Sequence, residues 1–221
     1  MIDIEGYMAE LTARLKERFD GRLVYVGLQG SYRRGEANEK SDVDVMAVLD
    51  ELNVEDLDAY KALIASLNVG APSCGFICGA KELANWNALE VCQLVHETLD
   101  YYGTLKGLVP SYTDEDVRSY VKSSAAAGYH MLCHEYVHAD AQACGQNLRG
   151  CYKALFPLLQ NLHYLRSGHY AATKKELLGL LGGEDRELLL RAMELKQGGA
   201  CRVPEDFRRI FLWCRNLLQT L

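Results

Sequence analysis

Residues 27–49 read GLQGSYRRGEANEKSDVDVMAVL. A first apolar run ends at the Gly30-Ser31 pair, and a second apolar run begins with two aspartates, Asp42 and Asp44, one residue apart. Successive side chains of a β-strand point to opposite faces, so residues two apart share a face. We therefore expect the two carboxylates to project together from the start of a strand that is otherwise apolar.

The aspartate pair predicts a metal site. Two carboxylates this close repel each other, and a cation between them removes the repulsion. Magnesium suits the position because it takes oxygen ligands and is typically held by one or two carboxylates together with substrate phosphates. Asp42 and Asp44 are therefore predicted to bind one or two Mg²⁺ ions.

The Gly30-Ser31 pair predicts a phosphate site, since it follows an apolar strand and is expected to open a helix. Glycine lets a phosphate approach the backbone, and a helix N-terminus presents free N–H groups to an anion. Arg33 and Arg34 add guanidinium groups suited to phosphate oxygens, although a solvated helix face explains them too. A phosphate site beside a carboxylate pair predicts a site for a nucleoside triphosphate (NTP).

The stretch from Leu28 to Val45 resembles the motif of the DNA polymerase β-like nucleotidyltransferase superfamily: apolar strand, Gly-Ser, ten residues, then Asp-apolar-Asp-apolar. It is especially similar to small bacterial members, among them antibiotic and minimal nucleotidyltransferases, in which a helical bundle follows the domain. The resemblance implies transfer of a nucleoside monophosphate from NTP, with ATP the expected donor, to a hydroxyl group. Pyrophosphate is the expected by-product.

The resemblance also implies roles for individual residues. Asp42 and Asp44 would be the catalytic residues and would hold the Mg²⁺ ions, which stabilise charge on the entering and leaving oxygens. Gly30 and Ser31 would bind the phosphates, and Arg34 would offset the charge of the departing pyrophosphate.

A third carboxylate is missing from the expected strand. Many relatives place one on the next strand, as a metal ligand or as the base that activates the hydroxyl, but residues 73–79 contain no acid. Five acids elsewhere are candidates, and the sequence does not choose among them: Glu90, Glu97, Asp100, Glu135 and Asp140.

The order of predicted elements indicates an α+β protein. Strand patterns cover 23–28, 43–49 and 75–78, with helical patterns at 4–19, 54–67 and 87–102, and from Ser111 onward only helical patterns follow, at about 114–140, 145–167, 173–182, 184–197 and 204–220. We expect a small mixed β-sheet nucleotidyltransferase domain flanked by helices, residues 1–110, and then an all-α helical bundle domain, residues 111–221.

Composition limits the partners. The net charge of −6 divides into −8 for residues 1–110 and +2 for residues 111–221, so sequence-independent nucleic-acid binding is disfavoured. No apolar run reaches the roughly 18–20 residues of a membrane span, and the N-terminus lacks a signal-peptide pattern. A cytoplasmic protein with no membrane partner is expected, and a homodimer is one oligomeric state that the sequence allows.

A lysine, three histidines and two cysteines each have a functional and a structural interpretation. Lys174 is a candidate nucleotide ligand or a solvated lysine of a helix start. His130, His134 and His138 share one helix face, but the third lies too far along to bind the same ion as the first, so packing is favoured over zinc. In the first half, Cys74 and Cys78 are interpreted as small core residues; the eight cysteines together are expected to be reduced and mostly buried.

Three functions remain open at this point. The favoured one is Mg²⁺-dependent nucleotidylation of a small hydroxylated acceptor such as an aminoglycoside- or lincosamide-like antibiotic, and the acidic run from Asp50 to Asp58 would suit a cationic sugar. The alternatives are nucleotidylation of a protein or RNA, as in toxin–antitoxin pairs, and non-catalytic nucleotide binding, which the missing third acid permits.

Overall fold

The structure is a computed structural model that describes residues 2–67 and 72–221. The chain divides into two compact units, Met1–Ser111 and Tyr112–Leu221. The sequence places its domain boundary one residue earlier, and the assignment of separate functional domains to 1–110 and 111–221 stays a prediction.

The first unit combines helices with a sheet. Its described elements are α1 (Ile4–Phe19), β1 (Leu23–Leu28), α2 (Gly30–Arg33), β2 (Val43–Leu49), α3 (Val54–Ser66), β3 (Ser73–Gly79), α4 (Ala80–Ala84), α5 (Ala88–Glu97) and β4 (Leu99–Tyr102). Short 3₁₀ turns occupy Asp20–Arg22 and Leu105–Gly107. Asp3 caps α1 by accepting a hydrogen bond from the Gly6 amide at 3.1 Å, as Asp commonly does at a helix start.

The strands form one mixed sheet in the order β3-β2-β1-β4. Strand β1 pairs antiparallel with both β2 and β4, and β2 pairs parallel with β3. The predicted α+β fold with a small mixed sheet is therefore confirmed.

Strand β2 is buried on both faces along most of its length. Val45 and Ala47 belong to the core shared with α1 and α3, whereas Met46 and Val48 belong to a second core on the opposite face. Asp44 lies two residues before Met46, so its side chain lies on the same face of the sheet, at the N-terminal end of the strand. The alternation explains how a charged residue fits into an apolar run.

One predicted helix is wrong in its second part. The pattern over 87–102 predicts a single helix, but α5 ends at Glu97 and Leu99–Tyr102 forms β4. Thr98 has extended backbone angles and its hydroxyl donates to the Leu94 carbonyl at 2.6 Å, closing the helix. Pairing with β1 then provides partners for the backbone of this short segment, so tertiary contacts override the helical periodicity.

The described part of the second unit is helical throughout. Its helices are α6 (Asp114–His138), α7 (Ala141–Ser167), α8 (Lys174–Leu180), α9 (Gly183–Lys196) and α10 (Val203–Thr220). The five predicted helices are confirmed, with α7 beginning four residues early because Asp140 caps it, accepting from the Ala143 amide at 2.8 Å. Their apolar faces share one core that includes Tyr152, Leu159 and Trp213.

None of the helices in the described chain is long and apolar enough to cross a membrane. The cysteines carry free thiols. Five of the eight are buried, which confirms the expectation for most of them: Cys78, Cys92, Cys144, Cys151 and Cys214.

Candidate active site

The two aspartates lie together at the beginning of β2. Asp42 immediately precedes the strand and Asp44 is its second residue. One carboxylate oxygen of Asp42, one of Asp44 and the Sγ atom of Cys74 all lie within 4.8 Å of one another. The carboxylates therefore project to the same side, as strand alternation predicts.

The Gly30 bend is in direct contact with this pair. Gly30 begins α2 with a φ of +67°, and a Cβ atom built on it would lie 1.8 Å from Oδ2 of Asp44. The Gln29 amide also donates to the Asp44 carbonyl at 2.8 Å, which ties the two segments together. Only glycine leaves room here for the carboxylate and adopts this backbone conformation without strain.

Ser31 and Arg33 follow the bend. Ser31 is half-buried, and its carbonyl accepts from the Glu36 amide at 2.8 Å, which folds the link back on itself. Arg33 donates from Nη2 to the His96 carbonyl at 2.8 Å, so it anchors α2 to the end of α5. Burial, and then the positive charge of Arg33, lower the pKa of the half-buried His96.

Arg34 lies between two carboxylates. Its Nη1 donates to Oε2 of Glu97 at 2.7 Å, and its Nε lies 3.4 Å from Oε2 of Glu36. Its guanidinium is largely buried, with 16% of the side chain exposed. The Glu97 contact fixes the orientation of the guanidinium, and the predicted phosphate contact of Arg34 stays a prediction.

The candidate third acids of the first unit have other contacts. Glu97 pairs with Arg34, and Glu90 accepts from Nε1 of Trp86 at 3.0 Å. Asp100 lies on β4, separated from β2 by β1, and accepts from the Tyr25 hydroxyl at 2.6 Å. Within the described residues, none of these three joins the group formed by the two aspartates.

The candidates of the second unit also have local partners. Glu135 accepts from the side-chain amide of Asn147, and Asp140 caps α7. A role for either acid in completing the site stays a prediction.

Cys74 is the residue that the structure places beside the aspartates. It lies opposite Asp44 in the parallel pairing of β2 and β3, and it is exposed. Its interpretation as a core residue is wrong, because β3 begins at the open rim of the sheet; Cys78, four residues along, is buried as expected. Cys74 could have been identified only from the strand register, because the parallel pairing of β2 with β3 places it opposite Asp44.

The acidic run after β2 lies away from the site. Asp50, Glu51, Glu55 and Asp58 are exposed, but they follow the end of β2 opposite to Asp42. Seven strand residues separate the two ends by about 20 Å. The run therefore does not line the aspartate pair, and it does not support a cationic acceptor.

Two further predictions concern the second unit. The Nζ atom of Lys174 lies 4.1 Å from the centre of the Phe156 ring, a cation–π contact within the helical core. Its nucleotide contact stays a prediction. The rings of His134 and His138 lie 4.8 Å apart on α6.

The donor set fits a divalent cation. Proteins usually supply one or two carboxylates as ligands to Mg²⁺, and waters and substrate phosphates supply the rest. The aspartate pair matches that number. Because the Gly30 bend touches one of these carboxylates, a triphosphate beside the bend would lie within reach of the same ion.

Residues 8–74 match the family described as the nucleotidyltransferase domain. The match runs from α1 into the start of β3 and includes both the Gly30 bend and the aspartate pair. The first unit therefore contains a match to a nucleotidyltransferase domain over the residues that carry the motif, as the resemblance to the DNA polymerase β-like superfamily predicts.

A solved structure is similar in fold over almost the whole chain. Spectinomycin adenyltransferase AAD(9) from Enterococcus faecialis, solved with ATP and spectinomycin, has a TM-score of 0.60 at 12% identity, with 97% of this chain and 99% of that chain covered. At this identity the likeness shows the fold alone. No curated protein matches the sequence significantly.

Two other solved structures are more distant. A toxin–antitoxin complex with AMP-PNP has a TM-score of 0.33 at 17% identity, covering 58% of this chain and 93% of that one. The Elizabethkingia meningoseptica cyclic dinucleotide synthase CdnE, solved with GTP and Apcpp, has a TM-score of 0.32 at 12% identity, covering 97% and 90%. Neither score supports a structural argument.

Proposed function

We propose that this nucleotidyltransferase moves a nucleoside monophosphate from ATP to a hydroxyl group of a small molecule, with Mg²⁺ as its cofactor. The observation that carries the proposal is the contact between the Gly30 bend and the carboxylate of Asp44, with Asp42 beside it. The contact supports the proposal because it brings Gly30 and the aspartate pair together within the residues that match a nucleotidyltransferase domain.

The reaction is a displacement at the α-phosphorus. The acceptor hydroxyl oxygen bonds to that phosphorus while its bond to the oxygen leading to the β-phosphate breaks, and the hydroxyl proton passes to solvent. When bound, Mg²⁺ neutralises the triphosphate and stabilises charge on the entering and leaving oxygens. Catalysis then depends on positioning and electrostatics, without a covalent enzyme intermediate.

Each residue of the site has a binding or orienting task in this proposal. Asp42 and Asp44 bind the cation and fix its position against the phosphates. Gly30 gives the phosphates access to the backbone, and the Ser31 hydroxyl donates to a phosphate oxygen. Arg34, held in place by Glu97, offsets the negative charge of the departing pyrophosphate.

The proposed acceptor is an aminoglycoside- or lincosamide-like antibiotic. Its support is the likeness in fold to spectinomycin adenyltransferase along almost the full length of both chains. We also propose a cytoplasmic location. A homodimer remains a prediction that analytical ultracentrifugation would test.

The test is a transfer assay with ATP labelled on the α-phosphate and Mg²⁺. Separate reactions contain aminoglycosides including spectinomycin, lincosamides, RNA and bacterial lysate proteins, and the Asp42→Asn/Asp44→Asn double variant is the control. We expect label on an antibiotic and equimolar pyrophosphate, with both lost in the variant. Label only on RNA or protein would replace the small-molecule acceptor, and ATP binding without any transfer would refute the proposed activity.

A further inference from the structure

Cys74 shares the face of the sheet that carries the aspartates. The pairing between β2 and β3 runs without interruption from Val43 opposite Ser73 to Leu49 opposite Gly79, and it sets Cys74 opposite Asp44. Paired residues of neighbouring strands point to the same face. The strand register therefore places the thiol beside the carboxylate. In agreement with this, the Cys74 Sγ atom and one carboxylate oxygen each of Asp42 and Asp44 lie within 4.8 Å of one another.

The next residue, Gly75, keeps the two strands close. Its φ is +110°, and a Cβ atom there would lie 1.9 Å from the Val45 carbonyl oxygen. Any side chain at this position would force β3 away from β2, and the Cys74 thiol would move with it. The approach of the thiol to the aspartates thus depends on an adjacent residue that only glycine can occupy without strain.

The exposure of Cys74 distinguishes it from the other cysteines. Five are buried and two are partly buried, whereas Cys74 is exposed at the rim where the carboxylates project. A buried cysteine is a small apolar side chain, but an exposed thiol next to two carboxylates is available to a cation.

The three donor atoms fit a single metal ion. Bonds of about 2.3 Å to sulfur and about 2.0–2.2 Å to carboxylate oxygen, at tetrahedral angles, place the ligand atoms of one zinc ion about 3.4–3.6 Å apart. The three donor atoms lie within 4.8 Å of one another, so side-chain rotation of about 1 Å brings them to this spacing. Three protein ligands with a further position open is the usual arrangement of a catalytic zinc site.

We propose that Cys74 is the third protein ligand of this metal site, and that the site binds a thiophilic divalent cation of the zinc class. The proposal rests on the proposed function, because it concerns the same site, and it holds that these ligands bind a thiophilic ion more tightly than the Mg²⁺ that supports transfer. Thiolate ligands favour zinc and related ions, whereas Mg²⁺ prefers oxygen. Metal binding displaces the thiol proton to solvent and forms the metal–sulfur bond without any change of oxidation state.

The test uses Co²⁺ as a spectroscopic substitute for zinc, added to the reduced full-length protein. We expect a thiolate-to-cobalt charge-transfer band in the near ultraviolet that saturates at one equivalent, and competition by Zn²⁺. Cys74→Ser and Cys74→Ala should lose the band and weaken zinc binding by about 10-fold or more, the range found when metal-site partners are removed. The control Cys133→Ser, which changes a partly buried cysteine of α6, should keep the charge-transfer band and the affinity for zinc.

A further variant should shift the metal preference of the site from Zn²⁺ towards Mg²⁺. Cys74→Asp replaces the thiol by a carboxylate, so it should lose the band while raising the affinity for Mg²⁺ relative to Zn²⁺. Circular dichroism confirms that each variant is folded. Should Cys74→Asp be unfolded, the serine and alanine variants still decide the outcome.

The outcomes separate this inference from the proposed function. A wild-type protein without the band, or a band unchanged in Cys74→Ser, overturns the assignment of Cys74 even if nucleotide transfer proceeds with Mg²⁺. A band that depends on Cys74 supports the assignment even if no acceptor in the panel is modified, in which case the proposed transfer fails by itself.

Discussion

Replacing Gly30 with alanine tests the contact between the Gly30 bend and the metal site. The new Cβ atom would lie 1.8 Å from Oδ2 of Asp44 and 2.6 Å from its Cγ, whereas real Cβ atoms essentially never approach a neighbour closer than 3.0 Å. The carboxylate must therefore move by about 1.2 Å, or the bend must open by a similar amount.

The displacement sets the expected loss of activity. A misplacement of about 1 Å in a catalytic constellation costs about 10²-fold in rate, which corresponds to about 2.7 kcal/mol of transition-state stabilisation. Because Gly30 has a φ of +67°, alanine should also cost about 1–2 kcal/mol of unfolding free energy. The two effects are measured separately, by turnover and by urea denaturation.

Gly35→Ala is the matched control. Gly35 has nearly the same φ, +66°, but a Cβ atom there meets nothing within 4 Å. Both variants should lose the stability that a positive φ costs a residue with a Cβ atom. Only Gly30→Ala should also lose pyrophosphate release with the acceptor found in the transfer assay and bind Mg²⁺-ATP more weakly by calorimetry. Equal activity and equal nucleotide affinity in the two variants would refute the coupling between the bend and the aspartates.

Two further predictions concern stability. In the second unit the buried Asp206 accepts two hydrogen bonds of 2.7 Å from Arg191. Asp206→Ala should cost about 3 kcal/mol in urea denaturation, because the buried guanidinium loses its buried carboxylate and keeps only the largely exposed Glu194 and the Ala200 carbonyl. A loss below about 1 kcal/mol would contradict this. In the first unit Arg22 holds the pKa of Asp56 at about 2, below the ordinary 3.8, through two side-chain hydrogen bonds. The stability that this pair contributes is complete above pH 4 and is lost as the pH falls towards 2; an Arg22→Met variant should show a smaller loss over that interval, and an identical pH profile would argue against the pair.

The sequence predicts the elements that local periodicity determines. The alternation at β2 predicts that Asp42 and Asp44 share a face, and the spacing of apolar residues over 4–19 predicts α1. These patterns reflect burial of one face of a strand or helix, so they can be read without knowledge of distant contacts. β4 is different because its four residues become a strand only by pairing with β1.

The sequence predicts the charged residues of the site, but it does not predict which other residues lie beside them. A pair of aspartates after a glycine bend has a chemical meaning by itself, whereas Cys74 acquires one only from its register against Asp44. The same limit applies to Arg34, since a sequence cannot show that Glu97 pairs with its guanidinium. Contacts between residues far apart in the chain depend on the assembled fold.

The position of the bound metal decides whether the aspartates and the Gly30 bend form one site. Crystals grown with Mn²⁺ and a non-hydrolysable ATP analogue give an anomalous scattering peak at each manganese position. We predict a peak about 2.1 Å from a carboxylate oxygen of Asp42 and of Asp44, as for the magnesium ion that manganese replaces, with the triphosphate bound to the same ion beside Gly30. A triphosphate bound elsewhere, or manganese that contacts neither aspartate, would contradict the proposed nucleotide and metal site.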